Sequence, residues 1–90
     1  MRWTKTLIEK TLNENPDYPQ FHEEFEGKHQ LYVWIKNIPV YIYRLPGGIY
    51  ESYLGPIIPP TIDIEDIDDA RRFAIESAKF LNEKYNTNSK

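Results

Sequence analysis

The chain contains no cysteine, and that absence removes a disulfide framework together with any thiolate acting as metal ligand or nucleophile. No stretch approaches the roughly 18 consecutive apolar residues of a membrane-spanning helix, and Met1-Arg2-Trp3-Thr4-Lys5 does not read as a secretory leader. The expectation is a soluble, cytoplasmic protein. Serine is scarce: Ser52, Ser77 and Ser89 are the only three, and none lies in a strained elbow or beside a base. Gly47-Gly48 follows a strand with no helix opening directly behind it, so a phosphate-cradling loop is unsupported. No reaction can be assigned from this inventory. The reading is of a protein that is not an enzyme, with no cofactor, no catalytic residue and no metal.

Ninety residues leave room for one hydrophobic core, so residues 1–90 are read as a single domain. With 40% hydrophobic and 28% charged residues the chain is ordinary for a globular protein and too apolar for a disordered one. Abundant isoleucine and a charged set dominated by Lys and Glu are compatible with a thermophilic, AT-rich source.

Aromatic residues are what the chain has in quantity. Tyr32, Trp34, Tyr41, Tyr43, Tyr50 and Tyr53 crowd one stretch that alternates as strands do. His29 to Lys36 sets Leu31, Val33 and Ile35 against Tyr32, Trp34 and Lys36. Val40 to Leu45 sets Val40 and Ile42 against Tyr41 and Tyr43, after a turn in which Asn37 supplies the residue that tolerates positive φ. Pro46-Gly47-Gly48 then makes a tight hairpin into Ile49–Leu54. A three-residue loop pairs Tyr43 with Glu51 and Tyr41 with Tyr53; a two-residue loop would exchange the faces of the last strand. The longer loop is preferred because it sends Leu54 inward and Glu51 outward. A further strand over about 20–26, joined through Glu26-Gly27-Lys28, makes the sheet three- or four-stranded.

Helices flank the sheet. Trp3, Leu7, Ile8 and Leu12 recur at helical spacing over residues 3–14, with Thr4 or Thr6 as cap and Asn15-Pro16 as stop. A longer helix covers about 65–85. One arc holds Ile67, Ala70, Phe73, Ala74, Ser77, Phe80 and Leu81, and the opposite arc holds Asp69, Arg72, Glu76, Lys79 and Glu83. Burial of Phe73, Phe80, Leu81 and Ile67 against the aliphatic sheet face would contribute about 1.5–3 kcal/mol each. Pro59-Pro60 is read as a stiff extended crossing before it, and residues 86–90 as a polar tail. The fold class is therefore α+β: an N-terminal helix, an antiparallel meander, and a C-terminal helix packed on one face.

Two clusters invite a site reading. The acidic run Asp63 to Asp69 lacks the glycine of a calcium loop and places Ile67 where a ligand belongs, so it is read as capping the last helix, with Asp68 and Arg72 as an i,i+4 pair. His22 and His29 could approach across a hairpin turning at Gly27, but edge histidines near glutamates need no ion.

The aromatic face is the remaining candidate. No acidic residue lies between Gly27 and Tyr50, whereas Lys28, Lys36 and Arg44 do, so the stretch is locally basic in a chain of net charge −3. Bases stack on exposed Tyr and Trp rings while lysine and arginine follow phosphates. Tyr32, Trp34, Tyr41, Tyr43 and Tyr53 with Lys28, Lys36 and Arg44 would form such a platform for nucleic acid. That is the reading preferred; the alternative is a protein partner or a homodimer docking on the same rings, since Tyr and Trp are enriched at such interfaces. The first helix could also cover them.

The segment Asn37-Ile38-Pro39-Val40-Tyr41-Ile42-Tyr43-Arg44, with Gly47-Gly48 and Tyr53-Leu54-Gly55-Pro56, resembles small proteins of archaeal viruses and plasmids. It is also similar to the three-stranded, sheet-first arm domains of integrases and transposases, over about residues 28–85. That resemblance implies a sheet whose front binds DNA, with Tyr41, Tyr43 and Arg44 on or near the binding strands. The chain departs from such domains in its acidic balance and its few basic residues.

Overall fold

A computed structural model describes residues 2–57 and 61–86. Helix α1 spans Lys5–Asn13, and Thr4 is its cap, the Oγ1 accepting a 3.2 Å hydrogen bond from the Leu7 amide. Ile8 and Leu12, one turn apart, supply its buried stripe. Proline at position 16 prevents continuation, and Asn15 Oδ1 closes the exit by accepting from the Asp17 amide at 2.9 Å.

Four antiparallel strands follow in sequential order: β1 (His22–Glu23), β2 (His29–Ile35), β3 (Ile38–Arg44) and β4 (Tyr50–Leu54). Helix α2 (Ile64–Asn86) packs across β3 and β4. This is the expected α+β arrangement, a small single domain with an open antiparallel sheet. Among the described residues no helix is long and apolar enough to cross a membrane. The expected Pro59-Pro60 crossing and residues 87–90 of the expected tail lie outside the described residues.

Three local expectations are corrected. The strand expected over 20–26 shrinks to His22–Glu23, because the chain turns early: the Glu24 amide donates to Lys28 O and the Lys28 amide to Phe25 O. Glu26 and Gly27 both take positive φ, 56° and 78°, as the central residues of a primed hairpin turn do. Strand β3 begins at Ile38 rather than residue 40, since Ile35 pairs with Ile38 and only Lys36 and Asn37 make the turn. The left-handed residue there is Lys36 (φ 56°), not Asn37.

The β3–β4 hairpin has the three-residue register, with Tyr43 opposite Glu51 and Tyr41 opposite Tyr53. Gly47 and Gly48 carry φ of 99° and 88°, a conformation that only glycine adopts without strain.

The core lies between the sheet's aliphatic face and the helices. Leu31, Val33, Ile35, Ile38, Val40 and Ile42 meet Ala70, Phe73, Ala74 and Leu81, with Ile8 and Leu12 alongside. The small residues Ala70, Ala74 and Ser77 let α2 lie close to the strands. The Trp3 ring stands edge-on to Phe73 at 4.8 Å, and its Nε1 donates to Asp69 O at 2.9 Å. Phe73 and Leu81 are fully buried as expected, whereas Phe80 and Ile67 are only partly so.

Asp63 caps α2, accepting from the Asp66 amide at 2.9 Å, with Glu65 and Asp66 in the first turn. Asp68 pairs with Arg71 at 3.1 Å, an i,i+3 contact in place of the expected one to Arg72. Asp69, expected on the solvent arc, is buried. The β2–β3 turn reaches over it: Lys36 Nζ stands 2.7 Å from Asp66 and 3.4 Å from Asp69.

Candidate interface on the aromatic sheet face

The strand registers arrange the face opposite α2 as a grid of three rows. Gln30, Tyr43 and Glu51 form the first, Tyr32, Tyr41 and Tyr53 the second, and Trp34, Pro39 and Gly55 the third. Each row takes one residue from β2, one from β3 and one from β4 or its end, because side chains at alternate positions share a face. The middle row is all tyrosine.

Neither α1 nor α2 covers these rings. Trp34 is 59% exposed, Tyr53 53% and Tyr32 48%. Trp3, the residue best suited to roof them, is committed to Phe73 on the other side of the sheet. The rings instead touch one another: Tyr32–Tyr41 at 5.7 Å edge-on, Tyr32–Trp34 at 6.3 Å, Tyr41–Tyr43 stacked at 6.4 Å, and Tyr43–Tyr53 at 6.0 Å.

Gly55 fixes the position of Tyr41. A Cβ at Gly55 would stand 2.6 Å from Tyr41 Cε2, 2.8 Å from Pro39 Cγ and 3.1 Å from Pro39 O. The ring therefore lies over bare backbone. Pro39, which has no amide hydrogen, sits at the last rung of the ladder, its carbonyl accepting from the Gly55 amide at 2.7 Å.

The eight residues read from sequence as a binding surface do not all come together. Tyr32, Trp34, Tyr41, Tyr43 and Tyr53 do, and Lys28 lines the groove beside Tyr43. Lys36 and Arg44 do not. Lys36 ends β2 in a left-handed turn and points to the carboxylates of α2. Its hydrogen bond with Asp66 raises its pKa, against the opposing effect of desolvation. Burial pushes the Asp69 carboxyl up, but the cations beside it, Lys36 among them, outweigh that and hold it below its ordinary value. Arg44 shares the alternation of Val40 and Ile42, so its guanidinium lies over Phe21 at 5.6 Å on the helix side.

The face also holds acids. Glu51 stands opposite Tyr43 and accepts a hydrogen bond from the Tyr53 hydroxyl. That bond raises the Tyr53 pKa, with desolvation and the Glu51 charge adding to it. Beyond Tyr43 the turn of the first hairpin rises beside the sheet, and Phe25, 69% exposed, and Glu24 complete a groove of about 500 Å³. The three-residue register already set Glu51 outward, whereas Glu24 enters from the first hairpin, outside the acid-free span.

Both sheet edges are partly closed by asparagine. The Leu45 amide donates to Ile49 O and the Gly55 amide to Pro39 O, so residues 50, 52 and 54 turn their backbone groups outward. Asn82 of α2 answers the first of these with both ends of its amide: Tyr50 N donates to Oδ1 at 2.9 Å, and Nδ2 donates to Tyr50 O at 3.0 Å. On the far edge Asn15 Nδ2 donates to Tyr32 O at 2.7 Å.

The histidines stand apart. His22 pairs with Gln30 and His29 with Glu23, which sets the two imidazoles on opposite faces. Among the described residues no group of three or more His, Asp or Glu is placed to hold a metal ion. No family model, curated protein or solved structure matches the chain.

Proposed function

We propose that this protein is a non-catalytic binding module whose tyrosine–tryptophan sheet face docks a protein partner. The observation that carries the reading is the sorting of charge about the sheet. Two of the three cations that made the stretch basic lie on the helix side, and Glu51 lies among the rings. A phosphate-tracking surface needs cations flanking its stacking rings. A protein-docking surface needs large amphipathic rings in the middle and mixed polar groups at the margin, and this face has both.

Nucleic acid, the reading preferred from sequence, becomes the second, favoured by the exposed rings of Tyr32, Trp34 and Tyr53 with Lys28 on the same face. On that reading the resemblance to arm domains of integrases and transposases extends to function.

A titration separates the two. With the whole chain and a single-stranded oligonucleotide at low salt, the docking reading expects no shift of the Tyr32 and Trp34 ring signals. Binding that weakens steeply with salt and is lost in Trp34→Ala with Tyr43→Ala would decide for nucleic acid.

A further inference from the structure

The groove at the Tyr43 end of the face has a composition that specifies its occupant. Tyr41 and Tyr43 line it, stacked with centroids 6.4 Å apart, and Tyr53 adjoins Tyr43 at 6.0 Å. Its walls carry Phe25 and two carboxylates, Glu24 and Glu51, against the single ammonium of Lys28. Aromatic faces are electron-rich and attract a cation within about 6 Å of the centroid, and carboxylates at the margin add to that attraction. A ring face suits a planar cation, and a carboxylate on the neighbouring strand suits a forked donor. The Tyr53 hydroxyl engages Glu51 and orients it, leaving further acceptor sites on the carboxylate. The chain makes a similar pairing on its other side, where Arg44 lies over Phe21.

We propose that this groove accepts an arginine side chain from a basic segment of the partner protein, its guanidinium against the Tyr43 ring and forked to Glu51, the residue opposite Tyr43. The inference rests on the protein-docking reading of the face and names the chemistry of the partner.

The test uses two hexapeptides of glycine and serine with blocked ends, one carrying a single arginine and the other citrulline, its neutral isostere. Each is titrated into the whole chain while the tyrosine ring signals are followed by NMR. The arginine peptide is expected to shift Tyr41, Tyr43 and Tyr53, and the citrulline peptide to leave them unmoved. Glu51→Gln, which keeps an acceptor for Tyr53, is expected to weaken binding about tenfold or more. Lys28→Ala is expected to tighten it, because the competing ammonium is gone.

Equal shifts from both peptides would overturn the arginine assignment while leaving a docking face for neutral groups. No shift from either would also overturn it; the docking reading is judged separately by light scattering, where a wild-type dimer lost in Trp34→Ala with Tyr53→Ala would support it and a monomeric wild type would count against it. Weaker binding in Lys28→Ala would overturn the assignment in favour of an anionic ligand.

Discussion

The side-chain amide of Asn82 pairs with both backbone groups of Tyr50, as a neighbouring strand would. Asn86, one turn on, donates to Asn82 Oδ1 at 2.9 Å and to Gly48 O at 2.7 Å, so α2 is fastened to the last hairpin along its rim. Exposed strand edges recruit other chains, and among the described residues these contacts leave Ser52 and Leu54 as the outward-facing backbone of β4.

Asn82→Ala is therefore expected to cost about 1–3 kcal/mol, since two partly buried backbone groups lose their partners. Chemical denaturation would measure the loss. Amide exchange at Tyr50 should accelerate beyond the global change, and light scattering should detect more self-association at high concentration.

Gly55→Ala should displace the Tyr41 ring, because the added methyl meets both that ring and the Pro39 backbone at sub-van der Waals distance. A stability loss of about 1–3 kcal/mol is expected. The Tyr41 ring signals should move, with Trp3 and Phe73 on the far side of the sheet unaffected. Unchanged Tyr41 signals would contradict the close approach.

The two tryptophans report on the two sides of the sheet. Trp3→Phe leaves the exposed Trp34 as sole tryptophan, and its selectively excited fluorescence should be red-shifted and readily quenched by acrylamide. Trp34→Phe leaves Trp3, packed on Phe73, whose emission should be bluer and more protected. Equal quenching in the two variants would mean that the aromatic face is covered in solution.

The Lys36 bridge predicts a pH window. Asp69 is held below its ordinary value, so its stabilisation is complete above the unfolded carboxyl pKa of about 3.9 and fades as pH falls through the lower folded value. Lys36 is raised, so its share is complete below about 10.4 and fades as pH rises through the higher folded value. The difference in Tm between the wild type and Lys36→Met should be greatest and flat between those limits, and should vanish at both extremes.

Period-two alternation and turn chemistry were enough to place most of this fold in advance. The residues Pro46-Gly47-Gly48 determine the loop length, and the loop length determines that Tyr41 and Tyr53 share a face with Tyr32. The helix wheel found Ala70, Phe73, Ala74 and Leu81 but misplaced Asp69, because only the tertiary path of the Lys36 turn makes that position buried. Cations were harder. Counting them along the chain grouped Lys28, Lys36 and Arg44, although alternation already set Arg44 with Ile42, and the turn redirected Lys36. The rim contacts had one legible signal. Asn82 and Asn86 are poor helix formers spaced one turn apart, which suggests side chains employed elsewhere.

Amides hold the Tyr50 backbone on one border and the Tyr32 carbonyl on the other, so main-chain pairing is blocked at those points and not along the full borders. On the aromatic face, side chains other than those at Pro39 and Gly55 can be exchanged while the hydrogen-bonded framework beneath stays as it is. The chemistry of that surface can therefore change one substitution at a time without a change of fold.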